Sequence, residues 1–121
     1  MICVQGRVVK KPCRLEDLDT EAGRTTDELV RLFAITVMGV VGAVERGLWT
    51  AEDAVREFFN AENCLFVENR LKSKIASEIM GRGVQLPDLF DALDPNSARF
   101  ELERELKKIR VLSECLLPSG P

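Results

Sequence analysis

Leu32-Phe33-Ala34-Ile35-Thr36-Val37-Met38-Gly39-Val40-Val41-Gly42-Ala43-Val44 has no polar face, and it is closed by Arg31 on one side and Glu45 on the other. A helix that is apolar all round is either the central helix of a globular domain or a membrane span. A span needs about 20 such residues, so this shorter run reads as a core helix against which other helices pack. Its valines and isoleucine favour strand, but the flanking signals decide for helix. Thr25 stands three residues before Glu28, the spacing of a capping box, and Asp27 and Glu28 suit the positive end of the helix dipole. Arg46 suits the negative end, and Gly47 can take the left-handed conformation that stops a helix. The distance between cap and stop is about twenty residues, whereas strands usually run about three to ten.

Working outward, Leu48 and Trp49 form a turn and Thr50 caps a second helix, with Glu52 and Asp53 in its first turn. Ala54, Val55, Phe58 and Phe59 give that helix an apolar stripe, which ends or bends at Asn60 or Ala61. A third helix reaches about Met80 on the spacing of Cys64, Val67, Leu71, Ile75 and Ile79, and Gly81 and Gly83 stop it. Pro87 fits the first turn of a short helix carrying Leu89, Phe90 and Leu93. Asp94-Pro95 then opens the last helix, in which Leu102, Leu106, Ile109, Leu112 and Leu116 share one face until Pro118. The expected fold is all-α: a compact bundle of four main helices plus one short helix around the apolar central helix, a single domain over residues 25–117 with a tail at 118–121. Residues 1–24 are expected as a polar amino-terminal arm. Ile2, Val4 and Val8 share a parity that suits a short strand between Ile2 and Val9, yet no other stretch offers a partner strand. The arm is therefore expected to be loosely ordered or to pair with its copy in a second molecule, with a helical turn near Leu15 to Asp19.

Composition narrows function mainly by exclusion. The chain has 121 residues, 45% of them hydrophobic and 31% charged, which suits one globular domain with a full core. Seventeen basic and twenty acidic residues give a net charge of -3, so no bulk electrostatic pull toward nucleic acid or an anionic membrane is expected. Histidine is absent, which removes the usual neutral-pH general base and the commonest metal ligand. Tyrosine is absent as well, leaving carboxylates, lysines and thiols for proton transfer. Cys3, Cys13, Cys64 and Cys115 form no Cys-x-x-Cys pair. Residues 1–11 are too polar for a secretory leader, so a reducing cytoplasm is the expected setting. Cys64 and Cys115 fall on apolar stripes and read as small buried hydrophobes. No cofactor and no metal are expected.

The close carboxylate pairs are Glu52/Asp53, Asp88/Asp91 and Glu101/Glu105, all in or near a first helical turn where dipole and capping preferences already favour acids. No catalytic residue is assigned; a carboxylate-dependent enzyme is kept as the contrasting reading. Arg70, Lys72, Lys74 and Arg82 make the best basic patch, but Glu62, Glu68 and Glu78 interrupt it, so a nucleic-acid-binding helical protein is a further alternative only. Protein interaction remains, with Trp49, Phe58, Phe59 and Phe66 as anchors. An unidentified protein partner is expected, and self-association as a homodimer through the last helix or the arm. Gly39, Gly42 and Ala43 form a smooth strip on the central helix, a close-packing seat for another helix or for a bulky side chain such as Trp49 or Phe58.

The run from Gly39 through Glu45-Arg46-Gly47-Leu48-Trp49-Thr50 to Ala54, followed by Phe58-Phe59-Asn60 and a leucine-containing helix, resembles a family of small, functionally uncharacterised bacterial helical proteins, a domain of unknown function. The resemblance covers roughly residues 29–71, carried by the glycine-containing apolar helix, the Gly-Leu turn and the acid-rich helix start. It implies a bacterial cytoplasmic protein and supplies no activity.

Overall fold

The computed structural model of the chain describes residues 2–4, 7–9, 14–20 and 24–118. Its described helices are α1 (Glu16–Thr20), α2 (Thr26–Glu45), α3 (Ala51–Glu57), α4 (Ala61–Phe66), α5 (Lys74–Val84), α6 (Asp88–Ala92) and α7 (Pro95–Cys115), with a wide π turn over Val67–Leu71. The all-α bundle expected from the sequence is present, and α2 is its centre. That helix packs on α7, α3, α5 and the π turn, and α5 and α6 pack on α7. Phe33, Ala34, Val37 and Val41 of α2 are fully enclosed with Phe58, Phe59, Val67, Ile79 and Ile109. Phe58 stands edge-on to Phe59, with ring centres 5.1 Å apart, and also touches Phe33.

The helix ends follow from their side chains. Thr25 accepts the Glu28 N–H while Glu28 accepts the Thr25 N–H, and Thr50 and Asp53 repeat the arrangement at α3. Gly47 takes φ +76, and the Leu48 and Trp49 N–H groups both reach the Ala43 carbonyl. Asp94 caps α7 through the Ser97 N–H at 3.0 Å. Backbone donors hold the Glu28, Asp53 and Asp94 carboxyls below their ordinary pKa, with Thr25, Thr50 and Ser97 respectively as the first source. A carboxyl depressed in the folded state adds stability that is complete above the unfolded-state pKa of about 4 and is lost as pH falls through the folded value. Thermal stability should therefore drop below about pH 4. The triple variant Glu28→Gln, Asp53→Asn, Asp94→Asn should start less stable at neutral pH and show a shallower acid slope. An unchanged slope would refute the assignment of these three caps as acid-sensitive groups.

Three features differ from the sequence reading. The third helix does not run unbroken to Met80: Lys72 adopts φ 51 after the π turn, and Ser73 caps α5 by accepting the Ala76 N–H. Both sides of this break turn their apolar residues inward, so the three-to-four spacing continues across it. In the arm, Ile2–Val4 and Arg7–Val9 pair antiparallel with each other, so the strand expected over Ile2 to Val9 folds back on itself. The folded unit also begins before Thr25. Leu15 is 2% exposed, its N–H donates to Asn63 Oδ1, and Arg70 donates to Asp19, to Thr26 Oγ1 and to the Arg24 carbonyl.

Candidate functional site

An α-helix turns 100° per residue, so one lengthwise face of α2 carries Glu28, Arg31, Ile35, Gly39, Gly42 and Arg46. The opposite face, with Leu29, Phe33, Val37, Val40 and Val44, fills the core. Although the helix is apolar all round, it is buried on only part of its circumference. Ile35 is 57% exposed, Gly39 is exposed, and Met38, Gly42 and Ala43 are partly covered. Leu48, just past the left-handed Gly47, is 70% exposed and extends the same apolar surface. Met38, Gly39, Gly42, Ala43 and Leu48 border a shallow depression of about 410 Å³ with Glu45 and Arg46 at its rim, and Ile35 stands one turn before it on the same face. Glu45 pairs with Arg110 of α7.

The strip of Gly39, Gly42 and Ala43 is therefore present, but neither Trp49 nor Phe58 sits on it. A Cβ built at Gly39 or Gly42 meets nothing within 4 Å. Gly39→Ala and Gly42→Ala should each raise the stability of the single molecule by up to about 1 kcal/mol through helix propensity. Denaturant titration of dilute protein reads the sign, and a loss in either variant would mean that the strip is filled from within the chain.

The expected anchors divide. Phe58 and Phe59 are 0% and 1% exposed, so they hold the core rather than face a partner; Trp49 and Phe66 are partly exposed. Trp49 lines a second depression of about 600 Å³ with Val44, Pro87, Phe90, Arg99 and Leu102, where α2, α3, α6 and α7 approach one another. Phe90 is 49% exposed there. Other large apolar residues also stand exposed, Leu65, Phe100 and Val111 among them, but Ile35 and Leu48, which sequence reasoning missed, are the ones beside bare glycine backbone. Ile35 could have been found from its place on one face with both glycines, and Leu48 from its place beyond a helix stop.

Of the carboxylate candidates, Glu52, Asp88 and Asp91 are exposed at the starts of α3 and α6, and the rest are occupied by structural work. Asp53 serves the α3 cap and pairs with Arg56, Glu101 pairs with Arg104, and Glu105 accepts from Arg82 and pairs with Lys108. Of the basic patch, Arg70 ties α1 to the start of α2 and Arg82 also binds Glu78. Two of its four cations are thus already neutralised within the chain. Burial, then Glu68, pushes the Cys64 thiol up in pKa, away from the thiolate that reactivity requires. Cys115, expected on a buried stripe, is exposed near the end of α7. Among the described residues no three potential ligands gather in a metal-binding group, and no helix is long and apolar enough to cross a membrane. Comparison with protein-family models, curated proteins and solved structures finds no match.

Proposed function

We propose that the protein is a non-enzymatic interaction or regulatory module of a bacterial cytoplasm, and that the outer face of α2 is the surface it presents to a protein partner. One observation carries the reading. A helix fixed by a capping box at one end and a left-handed glycine at the other leaves Ile35 and Leu48 more than half exposed beside bare glycine backbone. Burying a side chain of this size is worth about 1.5–3 kcal/mol, and contiguous apolar surface rimmed by charge is the usual mark of a binding face. The bacterial source rests on the sequence resemblance over residues 29–71 alone, and the cytoplasm on that resemblance together with the absence of any Cys-x-x-Cys pair.

The test compares the full chain with Ile35→Glu in affinity capture from an extract of the native host. Because Ile35 already faces outward, the variant should keep the wild-type circular dichroism and melting curve. Proteins retained by the wild type and lost from the variant support the reading. A captured set that ignores the substitution overturns it.

A further inference from the structure

We infer that the partner of the α2 face is a second copy of this chain, laid antiparallel across it with a two-fold axis at the level of Val37. The inference rests on that face being the interaction surface, and adds what covers it. Two pairs of residues on the face share one midpoint along the helix. Glu28 and Arg46 are equidistant from Val37, as are Ile35 and Gly39. In a two-fold pair each residue therefore meets its counterpart twice. The exposed Ile35 side chain of either copy comes over the bare backbone of Gly39 in the other, both residues lying within about 20° of the middle of the face.

Charge selects the same register independently of shape. Glu28 of one copy lies opposite Arg46 of the other at both ends of a contact about 27 Å long, at about 1.5 Å rise per residue. Arg31 falls two residues, about 3 Å along the helix, out of line with Glu45 of the second copy, on the same side of the contact. A parallel arrangement would instead stack Glu28 on Glu28, Arg31 on Arg31 and Arg46 on Arg46, and like charges so placed repel. The last helix suits self-association less well: Leu106 and Ile109 of its apolar stripe are buried against the core, and its exposed Phe100 and Val111 lie eleven residues apart.

Sedimentation of the full chain over a range of concentrations is the test. The wild type should form a dimer. Ile35→Glu should weaken it about a hundredfold, and Arg46→Glu or Glu28→Lys about tenfold each. A mixture of the Arg46→Glu and Glu28→Lys proteins should recover the dimer, since the mixed pair restores opposite charges at both ends. Gly39→Leu should fold, there being no atom within 4 Å of its first side-chain carbon, yet fail to dimerise. Circular dichroism confirms folding in each case. A wild type that stays monomeric at the highest concentration reached overturns the second copy as partner. If Ile35-dependent capture of another protein persists, only this inference falls and the interaction reading stands. A dimer that survives Ile35→Glu, or that the charge mixture does not restore, also overturns it.

Discussion

Replacing Gly83 with alanine should cost about 3 kcal/mol or more, although alanine is the better helix former by about 1 kcal/mol. Gly83 lies in the last turn of α5, and a methyl group there would stand 2.2 Å from Phe59 Cδ1, 2.3 Å from Cγ and 2.5 Å from Cε1. The obstacle is the face of a ring, not the end of a flexible chain. Phe59 is itself 1% exposed and stands against Phe58, which contacts Phe33 of the central helix. The ring can retreat only by moving this aromatic stack or by parting α5 from α3. Interiors packed this densely transmit such displacements rather than absorb them. With total stabilities of about 5–15 kcal/mol in ordinary domains, the loss should show as a melting temperature lower by about 10 °C or more. Phe59→Leu in the Gly83→Ala background should recover part of it, giving a double-mutant cycle far from additive. A neutral or stabilising Gly83→Ala would mean that the ring does not rest on the α5 backbone.

Gly83 also shows where the sequence stops being legible. With Gly81 it reads as punctuation, and helix α5 does end nearby, but its place beneath Phe59 depends on a ring more than twenty positions earlier that no local pattern connects to it. The same holds for the break at Lys72 and Ser73. Val67 and Leu71 on one side and Ala76 and Ile79 on the other all face the core, so the hydrophobic period cannot register the turn between them. By contrast, the Thr25 capping box, the Thr50 cap and the Asp94-Pro95 start of α7 were plain, because a cap is a bargain among residues three positions apart. For the candidate surface the difficulty is of another kind. Hydropathy reports that α2 is apolar all round without distinguishing the side that enters the core from the side that remains outside. Only the packing of α7, α3 and α5 against α2 singles out Ile35 and Gly39. Phe58 and Phe59 illustrate the converse, since size and apolarity suit an interface anchor and a core aromatic equally well.

Asn63→Ala should cost about 3 kcal/mol and loosen one end of the molecule in preference to the rest. Asn63 is 1% exposed, and its side chain joins two segments far apart in sequence. Oδ1 accepts the Leu15 N–H at 3.0 Å, and Nδ2 donates to the Phe58 carbonyl at 2.9 Å. Alanine fills neither role: the Phe58 carbonyl keeps the Asn60 N–H at 2.9 Å, but the Leu15 N–H loses this acceptor, at about 1–3 kcal/mol for a donor stranded away from water, and the lost side chain leaves a void beside it. The stranded donor matters most, because Leu15 enters the core just ahead of α1 and α1 is a single turn that cannot persist alone. Arg70 also holds this segment through Asp19, but that pair is partly open to water and contributes less. Amide hydrogen exchange should therefore quicken over residues 14–20 by more than it does in α2 or α7. Asn63→Asp separates the two bonds: its carboxylate can still accept from Leu15 but cannot donate to Phe58, and it buries a charge. At neutral pH it should be at least as destabilising as alanine, with partial recovery in acid when the carboxyl is protonated and neutral. Asn63→Ala within about 0.5 kcal/mol of wild type, the range of an ordinary surface change, together with unchanged exchange over residues 14–20, would show that α1 is held to the bundle by other contacts.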